Sequence, residues 1–449
     1  MISITILLFA FIPIAFFMRM LSTKHRLNVL FICSLIAYTL IDYKFVILLL
    51  VQVIFSFYIG QGIINSMDKK KHLLGIGVFV IVFILLVFKY YNFFADGFSS
   101  FIRLMMPVGI SYYSFKEISY LVDCYNGKVN SNPRFINYAN YITFFPQIIC
   151  GPITRFSSMD EISSDKSNIA DDLFLIMTGI FKKFVIADRL SDYVGIIFGN
   201  PDGYPVLALW MAAFFYTVEI YTDFSGYSDI VIGISSIAGF KVNKNFDLPY
   251  FSYNIKDFWN RWHISLSSWL RDYIYIPLGG NRRGNIRKKI NILITFFVSG
   301  LWHGNGLNFI VWGLYHGILD IIPFNKSKKR VYSFLQTILT FLLVMLGWVM
   351  FRVDSLYMGI KYIGKMFGQL SLNLLSYQSI VNSIMPFTND YGCVAYLLTI
   401  IIMIAILFVF EYREYADKKI NYSLRTVILT VCIVFFAVVG GDSFLYANF

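Results

Sequence analysis

Apolar segments recur along the whole of this chain and constrain its fold more than any other feature. Long runs suited to membrane-spanning helices lie near residues 2–19, 27–43, 45–65, 73–89, 205–221, 331–351, 393–410 and 424–440. Shorter or interrupted ones lie near 105–122, 135–150, 172–187, 226–240, 262–278, 290–303 and 307–322. A full crossing needs about 20 apolar residues, so we expect some short segments to be re-entrant or tilted. The sequence predicts an all-α integral membrane protein with a single polytopic domain over residues 1–449.

The composition agrees with a membrane protein. Of the 449 residues, 57% are hydrophobic and only 14% are charged, whereas a soluble domain carries about 25% charged residues. The net charge of +12 lies largely in short loops between apolar runs, which is typical of positive-inside topology and argues against nucleic-acid binding. These loops carry Lys24, Arg26, Lys69, Lys70, Lys71, Lys326, Arg330, Arg413, Lys418, Lys419 and Arg425. They all lie in the cytoplasm if both termini face outward.

The cysteines and the first segment exclude some alternatives. Cys33, Cys124, Cys150, Cys393 and Cys432 form no Cys-x-x-Cys pair, and most lie in apolar segments, where cysteine behaves as a small hydrophobe. Neither a metal site nor a disulfide framework is indicated. The first apolar segment has no basic region before it and no small-residue cleavage site after it, so we expect a retained transmembrane helix.

One histidine stands out because of its predicted depth in the membrane. A helix that begins near Ile290 at the cytoplasmic face reaches His303 after about 14 residues, roughly 21 Å, within a hydrocarbon core about 30 Å thick. Gly304 and Gly306 predict a turn directly afterwards. An intramembrane ionisable side chain indicates a functional site, and an imidazole exchanges a proton near neutral pH. The alternative is a histidine that only hydrogen-bonds a neighbouring helix.

Two further histidines lie nearby in the sequence. His263 lies in a segment, 257–273, that mixes three tryptophans with arginine, serine and tyrosine. A helix at the membrane interface explains the aromatic residues but gives no reason for a histidine beside Ser265. His316 follows thirteen positions after His303 and is either a packing residue or a supporting partner of the site.

Ordered blocks of residues along nearly the whole chain point to one family. They are 107–113 (PVGISYY), 144–147 (FFPQ), 151–155 (GPITR), 181–183 (FKK), 187–188 (AD), 223–229 (DFSGYSD), 245–246 (NF), 257–282 and 301–304 (LWHG). In these blocks the chain resembles the membrane-bound O-acyltransferase (MBOAT) family, in its bacterial alginate O-acetylase branch. The resemblance implies roughly 11 transmembrane helices, with re-entrant and interfacial helices, around a central tunnel between a cytoplasmic acyl donor and an acceptor outside.

The resemblance also implies roles for the histidines. His303 is expected to be the catalytic histidine, the base that takes a proton from the hydroxyl attacking a thioester. His263 is expected to orient the donor or to hydrogen-bond the developing oxyanion. Acetyl-coenzyme A is the expected donor substrate, and no metal or tightly bound cofactor is expected.

Two further sets of residues each have a functional and a structural interpretation. Arg282 and Arg283 either bind the phosphates of coenzyme A or serve only the positive-inside topology. Tyr446, in the aromatic ending 444–449, either relays the acyl group to an external partner or anchors the chain at the membrane interface.

The sequence therefore predicts an O-acetyltransferase in the cytoplasmic membrane that serves a cell-envelope or exported polysaccharide, with a periplasmic or extracellular SGNH-type transferase as partner. Alternatives are transfer of D-alanine or another acyl group to teichoic acid, transfer to peptidoglycan, and a polysaccharide transporter without catalysis. A transporter would more often show inverted repeats, which this sequence lacks. The chain is shorter than expected for an alginate enzyme, and Ala447-Asn448 departs from the usual ending, so alginate itself is not favoured.

Overall fold

The computed structural model of the protein describes residues 4–66, 68–95, 103–129, 133–159, 168–324, 326–327, 329–368, 376–384, 386, 393–416 and 422–438. In this part of the chain the secondary structure is helical and includes no β-strand, which confirms the predicted all-α class. The first helices are α1 (Ile4–Met20), α2 (Thr23–Asp42), α3 (Val46–Asn65), α4 (Lys70–Ala95), α5 (Ile110–Tyr125), α6 (Phe135–Thr143), α7 (Phe145–Ile148) and α8 (Phe156–Met159).

The remaining helices include those that carry or flank the three histidines discussed above. They are α9 (Ile169–Ile180), α10 (Asp188–Gly199), α11 (Val206–Ile237), α12 (Ile255–Arg261), α13 (Ile264–Leu270), α14 (Gly284–His303), α15 (Leu307–Ile321), α16 (Arg330–Arg352), α17 (Leu356–Gly368), α18 (Tyr377–Ile384), α19 (Cys393–Tyr415) and α20 (Tyr422–Phe436). Two π-helical turns, Phe181–Ala187 and Arg271–Tyr275, continue α9 and α13.

Several helices are suited to the membrane. In the described residues, four helical stretches are long and apolar enough to cross it: Thr23–Asn65, Lys70–Phe93, Arg330–Arg352 and Val394–Tyr415. The first of these stretches comprises α2 and α3 together. Shorter apolar helices cover Phe9–Met20, Leu307–Ile321 and Tyr422–Phe436. The count of roughly 11 crossings stays a prediction.

Helix α11 differs from the sequence expectation. Two separate segments are predicted near 205–221 and 226–240, whereas α11 runs unbroken for 32 residues. Gly226, the first residue of the second predicted segment, lies where α11 contacts α9, and a Cβ there would lie 2.8 Å from the carbonyl oxygen of Gly179. This glycine therefore permits a close helix contact and does not end the helix.

Buried ion pairs join α11 to the π-helical turn after α9. Lys183 Nζ lies 2.6 Å from Asp223 Oδ1 and 2.8 Å from Asp188 Oδ1, and all three side chains are buried. Lys182 Nζ lies 2.8 Å from Asp229 Oδ2. The sequence blocks 181–183 and 223–229 thus meet inside the helix bundle, where an unpaired charge would be costly.

Helices α14 and α15 form a tight hairpin. A Cβ at Gly300 would collide with the carbonyl oxygen of Phe309, and one at Gly313 would collide with that of Phe296. Small residues let the two helix backbones approach closely in this way. The hairpin places its turn, and the residues on either side of it, at a fixed position against α16 and α12.

Candidate active site

His303 is the last residue of α14. The helix ends there because Gly304 is extended, with φ −167°, and α15 begins only three residues later. The turn that Gly304 and Gly306 predict is therefore confirmed. The helix starts at Gly284, six positions before the predicted start at Ile290, because residues 285–289 are polar except for Ile286 and fall outside the apolar run.

Aromatic rings enclose the His303 imidazole. Its centroid lies 4.8 Å from the Trp302 ring, 5.0 Å from Trp312 and 5.1 Å from Phe351. The side chain is only 2% exposed. These contacts fix the orientation of the ring and exclude bulk water from it.

Helix α4 binds the end of α14 next to His303. Lys89 Nζ donates to the carbonyl oxygen of Trp302, and the Tyr90 hydroxyl donates to that of Leu301 over 2.7 Å. The last carbonyl groups of a helix have no partner within the helix, and a cation there is favourable. Lys89 and Tyr90 therefore hold the turn that carries His303. Neither was predicted, because in the sequence they only mark the end of an apolar run.

His263 connects α12 and α13 and is completely buried. Its backbone is left-handed, with φ 44°, a conformation that costs a non-glycine residue about 1–3 kcal/mol and clusters at functional sites. Its Nδ1 lies 3.3 Å from Asn245 Oδ1. Asn245 Oδ1 also accepts from the Ser265 hydroxyl over 2.8 Å and from the Ser265 amide over 3.2 Å. Asn245 therefore stabilises this turn.

The tryptophans around His263 belong to the core. Trp262 is fully buried, and Trp259 and Trp269 are nearly so. The Trp269 ring stacks on Phe115 with a centroid separation of 3.8 Å. The tryptophans therefore do not anchor an interfacial helix, and the segment is a broken pair of short helices packed inside the protein.

The structure brings the two candidate histidines together. The Trp302 ring lies 4.8 Å from the His303 ring and 6.4 Å from the His263 ring. Two residues that are 40 positions apart in sequence thus belong to one site.

A cavity of about 1060 Å³ lies beside this site, and neither His303 nor His263 is among its lining residues. Its walls come from α12, α13, the loop after the second π-helical turn, α14 and α15. Its basic lining residues are Lys256, Arg271, Arg282, Lys288 and Lys289, and Asp320 is its acidic one. Trp259 and Ser299 are buried lining residues, and Phe296 is a partly buried one. Ser299 precedes His303 by one helical turn, about 6 Å along the axis. We call this space the basic cavity.

Comparison with known proteins identifies the chain. The family model for MBOAT, the membrane-bound O-acyltransferase family, matches residues 109–337, which include all three histidines and the basic cavity. The chain belongs to the membrane-bound O-acyltransferase family. It is therefore a multi-pass membrane protein and an O-acyltransferase, and a transporter without catalysis is excluded as its class.

Curated relatives agree with the alginate O-acetylase-like branch. The chain is 37% identical to a probable alginate O-acetylase AlgI of Pseudomonas syringae pv. tomato over 390 residues, 81% of this chain and 74% of that one. It is 30% identical to a peptidoglycan O-acetyltransferase of Helicobacter pylori, with 98% of this chain and 96% of that one covered. A teichoic acid D-alanyltransferase of Bacillus subtilis is 30% identical over 56% of this chain and 69% of its own.

The structure places the two arginines that were predicted to bind the acyl donor in different surroundings. Arg282 lines the basic cavity, whereas Arg283 is not among its lining residues and lies beside Gly279. Asn291 on α14 was not predicted; its buried amide donates to the carbonyl oxygen of Gly280 over 2.9 Å and so fixes the loop before Arg282. Tyr446 lies outside the described residues.

Proposed function

We propose that this acyltransferase moves an acetyl group from cytoplasmic acetyl-coenzyme A across the cytoplasmic membrane, for O-acetylation of a cell-envelope or exported polysaccharide. The basic cavity, whose lining residue Ser299 lies one helical turn from His303 on α14, is the observation that carries the proposal. Its volume suits a ligand of nucleotide size. Acetyl-coenzyme A is a diffusible substrate here and not a bound cofactor.

The charges of the basic cavity favour a phosphorylated donor. Five basic side chains and one acidic side chain line it, and phosphate oxygens form strong charge-assisted hydrogen bonds with such groups. Arg282 is held at the wall because Asn291 fixes the preceding loop. We assign the phosphates of coenzyme A to this wall, with Arg282 as a contact and Arg283 in a topological role.

His303 acts as the general base in this proposal. The imidazole takes the proton of the acceptor hydroxyl while the hydroxyl oxygen attacks the thioester carbonyl carbon. The carbon–sulfur bond then breaks, and the imidazolium returns the proton to the leaving thiolate, which gives an ester and free coenzyme A. General-base assistance is typically worth about 10²–10⁴-fold, and the surrounding aromatic rings keep competing water away.

His263 orients the reactants in this proposal. Asn245 Oδ1 is an acceptor, so the contact at Nδ1 requires the ring proton to lie on Nδ1. A neutral imidazole with its proton on Nδ1 presents Nε2 as an acceptor. His263 Nε2 therefore accepts a hydrogen bond from an N–H or O–H group of either substrate. It does not donate one to an oxyanion.

The direction of transfer follows from the predicted topology. With both termini outside, the basic loops and the basic cavity lie on the cytoplasmic side, where acetyl-coenzyme A is made. The acetyl group then leaves toward the outer side, either directly or through Tyr446, and a periplasmic or extracellular SGNH-type transferase completes the transfer to the polymer.

Peptidoglycan is a second candidate acceptor. The Helicobacter pylori relative, whose name specifies peptidoglycan, aligns with 98% of this chain, whereas the Pseudomonas syringae relative aligns with 81%. Transfer of D-alanine to teichoic acid is less favoured, because the Bacillus subtilis relative covers 56% of the chain.

The acceptor is identified by the O-acetyl content of each isolated envelope polysaccharide in wild-type, deletion and His303→Ala cells with equal amounts of protein. We expect one polymer to lose its acetyl esters in both mutants. If every polymer keeps its acetyl esters in the deletion strain, the proposed function is wrong.

A further inference from the structure

His316 is a third buried histidine, and the reaction proposed above does not use it. It lies on α15 and is completely enclosed. Neither of its ring nitrogens hydrogen-bonds any residue in the described part of the chain. Its nearest ring neighbours include Trp312, with a centroid separation of 5.2 Å, and Trp259, at 5.3 Å.

The surroundings of His316 would suit a phenylalanine better. The ring touches indoles on several sides and packs on α16, where a Cβ at Gly347 would lie 2.5 Å from its Nε2. A buried polar group without a partner is unfavourable. An imidazole at this position therefore indicates a hydrogen-bonding partner that is not one of the neighbouring side chains.

Two indole groups beside His316 have the same property. The Nε1–H groups of Trp259 and Trp312 are buried and have no acceptor among the described residues. The two rings contact each other with a centroid separation of 5.7 Å. We call Trp259, Trp312 and His316 the indole–imidazole cluster.

This cluster lies between the basic cavity and His303. Trp259 lines the basic cavity on one side and contacts His316 and Trp312 on the other. Trp312 in turn lies 5.0 Å from the His303 ring. Leu319 and Asp320, about one turn after His316 on α15, also line the basic cavity. The cluster thus forms a continuous run of ring contacts from the wall of the basic cavity to His303.

We propose that His316 binds the donor's pantetheine arm by hydrogen-bonding the amide nearest the thioester. This inference rests on the proposed function, since the donor there is acetyl-coenzyme A. Two carbon atoms separate this amide nitrogen from the sulfur atom. When the thioester lies at His303, the amide therefore lies about the width of one aromatic ring from the sulfur atom. The amide needs hydrogen-bonding partners once it leaves water, and the cluster offers an imidazole and two indole N–H groups. His316 is thus a binding residue that positions the donor.

The test compares two donors on purified protein in the His303→Gln background, which prevents turnover. One is acetyl-coenzyme A, and the other is an analogue in which this amide is replaced by two methylene groups. We expect the protein with His316 to bind acetyl-coenzyme A at least about 10-fold more tightly than the analogue, the range of one buried hydrogen bond. With His316→Phe added, this preference should fall by about 10-fold, because the amide N–H loses its acceptor while the indole N–H groups of Trp259 and Trp312 remain.

Controls separate this outcome from misfolding and from failure of the proposed function. Tyr315→Phe, which removes a hydrogen bond from the same helix to the Leu343 carbonyl, should keep the preference. If His316→Phe does not fold, the His316→Leu variant replaces it. A preference of unchanged size after loss of the imidazole overturns the inference alone. A protein that retains His316 but binds neither donor overturns the proposed donor as well.

Discussion

The contact between Asn245 and the turn at His263 gives the most quantitative prediction. Asn245 Oδ1 accepts hydrogen bonds from the Ser265 amide, the Ser265 hydroxyl and His263 Nδ1, at 3.2, 2.8 and 3.3 Å. All of these groups are buried. Asn245→Ala removes the acceptor and leaves the three donors in place.

The expected cost follows from those donors. The Ser265 hydroxyl can rotate toward another acceptor, but the Ser265 amide and the His263 ring N–H cannot. A buried donor that loses its partner costs about 1–3 kcal/mol, so Asn245→Ala, which leaves two such donors, should destabilise the protein by about 2–6 kcal/mol. The left-handed backbone of His263 would also lose its support, and we expect the imidazole to move away from Trp302.

The assay has two parts: the thermal unfolding midpoint of the purified protein and the O-acetyl content of the polymer in cells with equal amounts of protein. We expect Asn245→Ala to lower both. Asn245→Asp keeps an acceptor oxygen and should retain more of each. Thr222→Val, which removes a buried hydroxyl bonded to a carbonyl of its own helix, is the matched control. An Asn245→Ala protein with an unchanged midpoint and normal acetylation would refute this reasoning.

Three further predictions concern separate parts of the molecule. Asp223→Asn weakens one of the two buried ion pairs of Lys183, which keeps its pair with Asp188. Because leaving a buried charge without any partner costs about 3–5 kcal/mol, we expect a smaller loss of stability and a lower yield of folded protein by size-exclusion chromatography; an unchanged yield would contradict this structural role. Arg282→Glu should raise the dissociation constant for coenzyme A about 10-fold or more, consistent with loss of a charge-assisted hydrogen bond, whereas Arg283→Glu should change it little; equal effects would remove the distinction between the two arginines. Tyr446→Phe should abolish an acetyl-tyrosine detected by mass spectrometry in the wild-type protein, and full activity of this variant would exclude the relay.

The sequence predicts those features that depend on local pattern. Gly304 and Gly306 indicate the turn after His303 because glycine permits a sharp change of direction. The apolar runs predict most of the helices because they too are local patterns. The start of α14 is not predicted, because polar residues such as Asn285 and Lys288 precede its apolar run. The left-handed backbone at His263 has no local signal, since such a conformation favours glycine.

Contacts between distant parts of the chain could not be predicted. Lys89 and the Trp302 carbonyl are 213 positions apart, and Asn245 reaches the turn at His263 across 18 positions. No periodicity or spacing links these residues, because helix packing alone brings them together. Asn291 resembles an ordinary polar residue at the start of an apolar run until the loop that it binds is seen.

Transfer of label from acetyl-coenzyme A in everted membrane vesicles tests the central claim most directly. The vesicles expose the cytoplasmic face, so radiolabelled acetyl-coenzyme A is added outside, and ester-bound label is counted on the enclosed envelope material. We predict transfer in wild-type vesicles and none above the deletion strain in His303→Gln vesicles with the same amount of folded protein. Wild-type rates in the His303→Gln vesicles would contradict the assignment of His303 as the base.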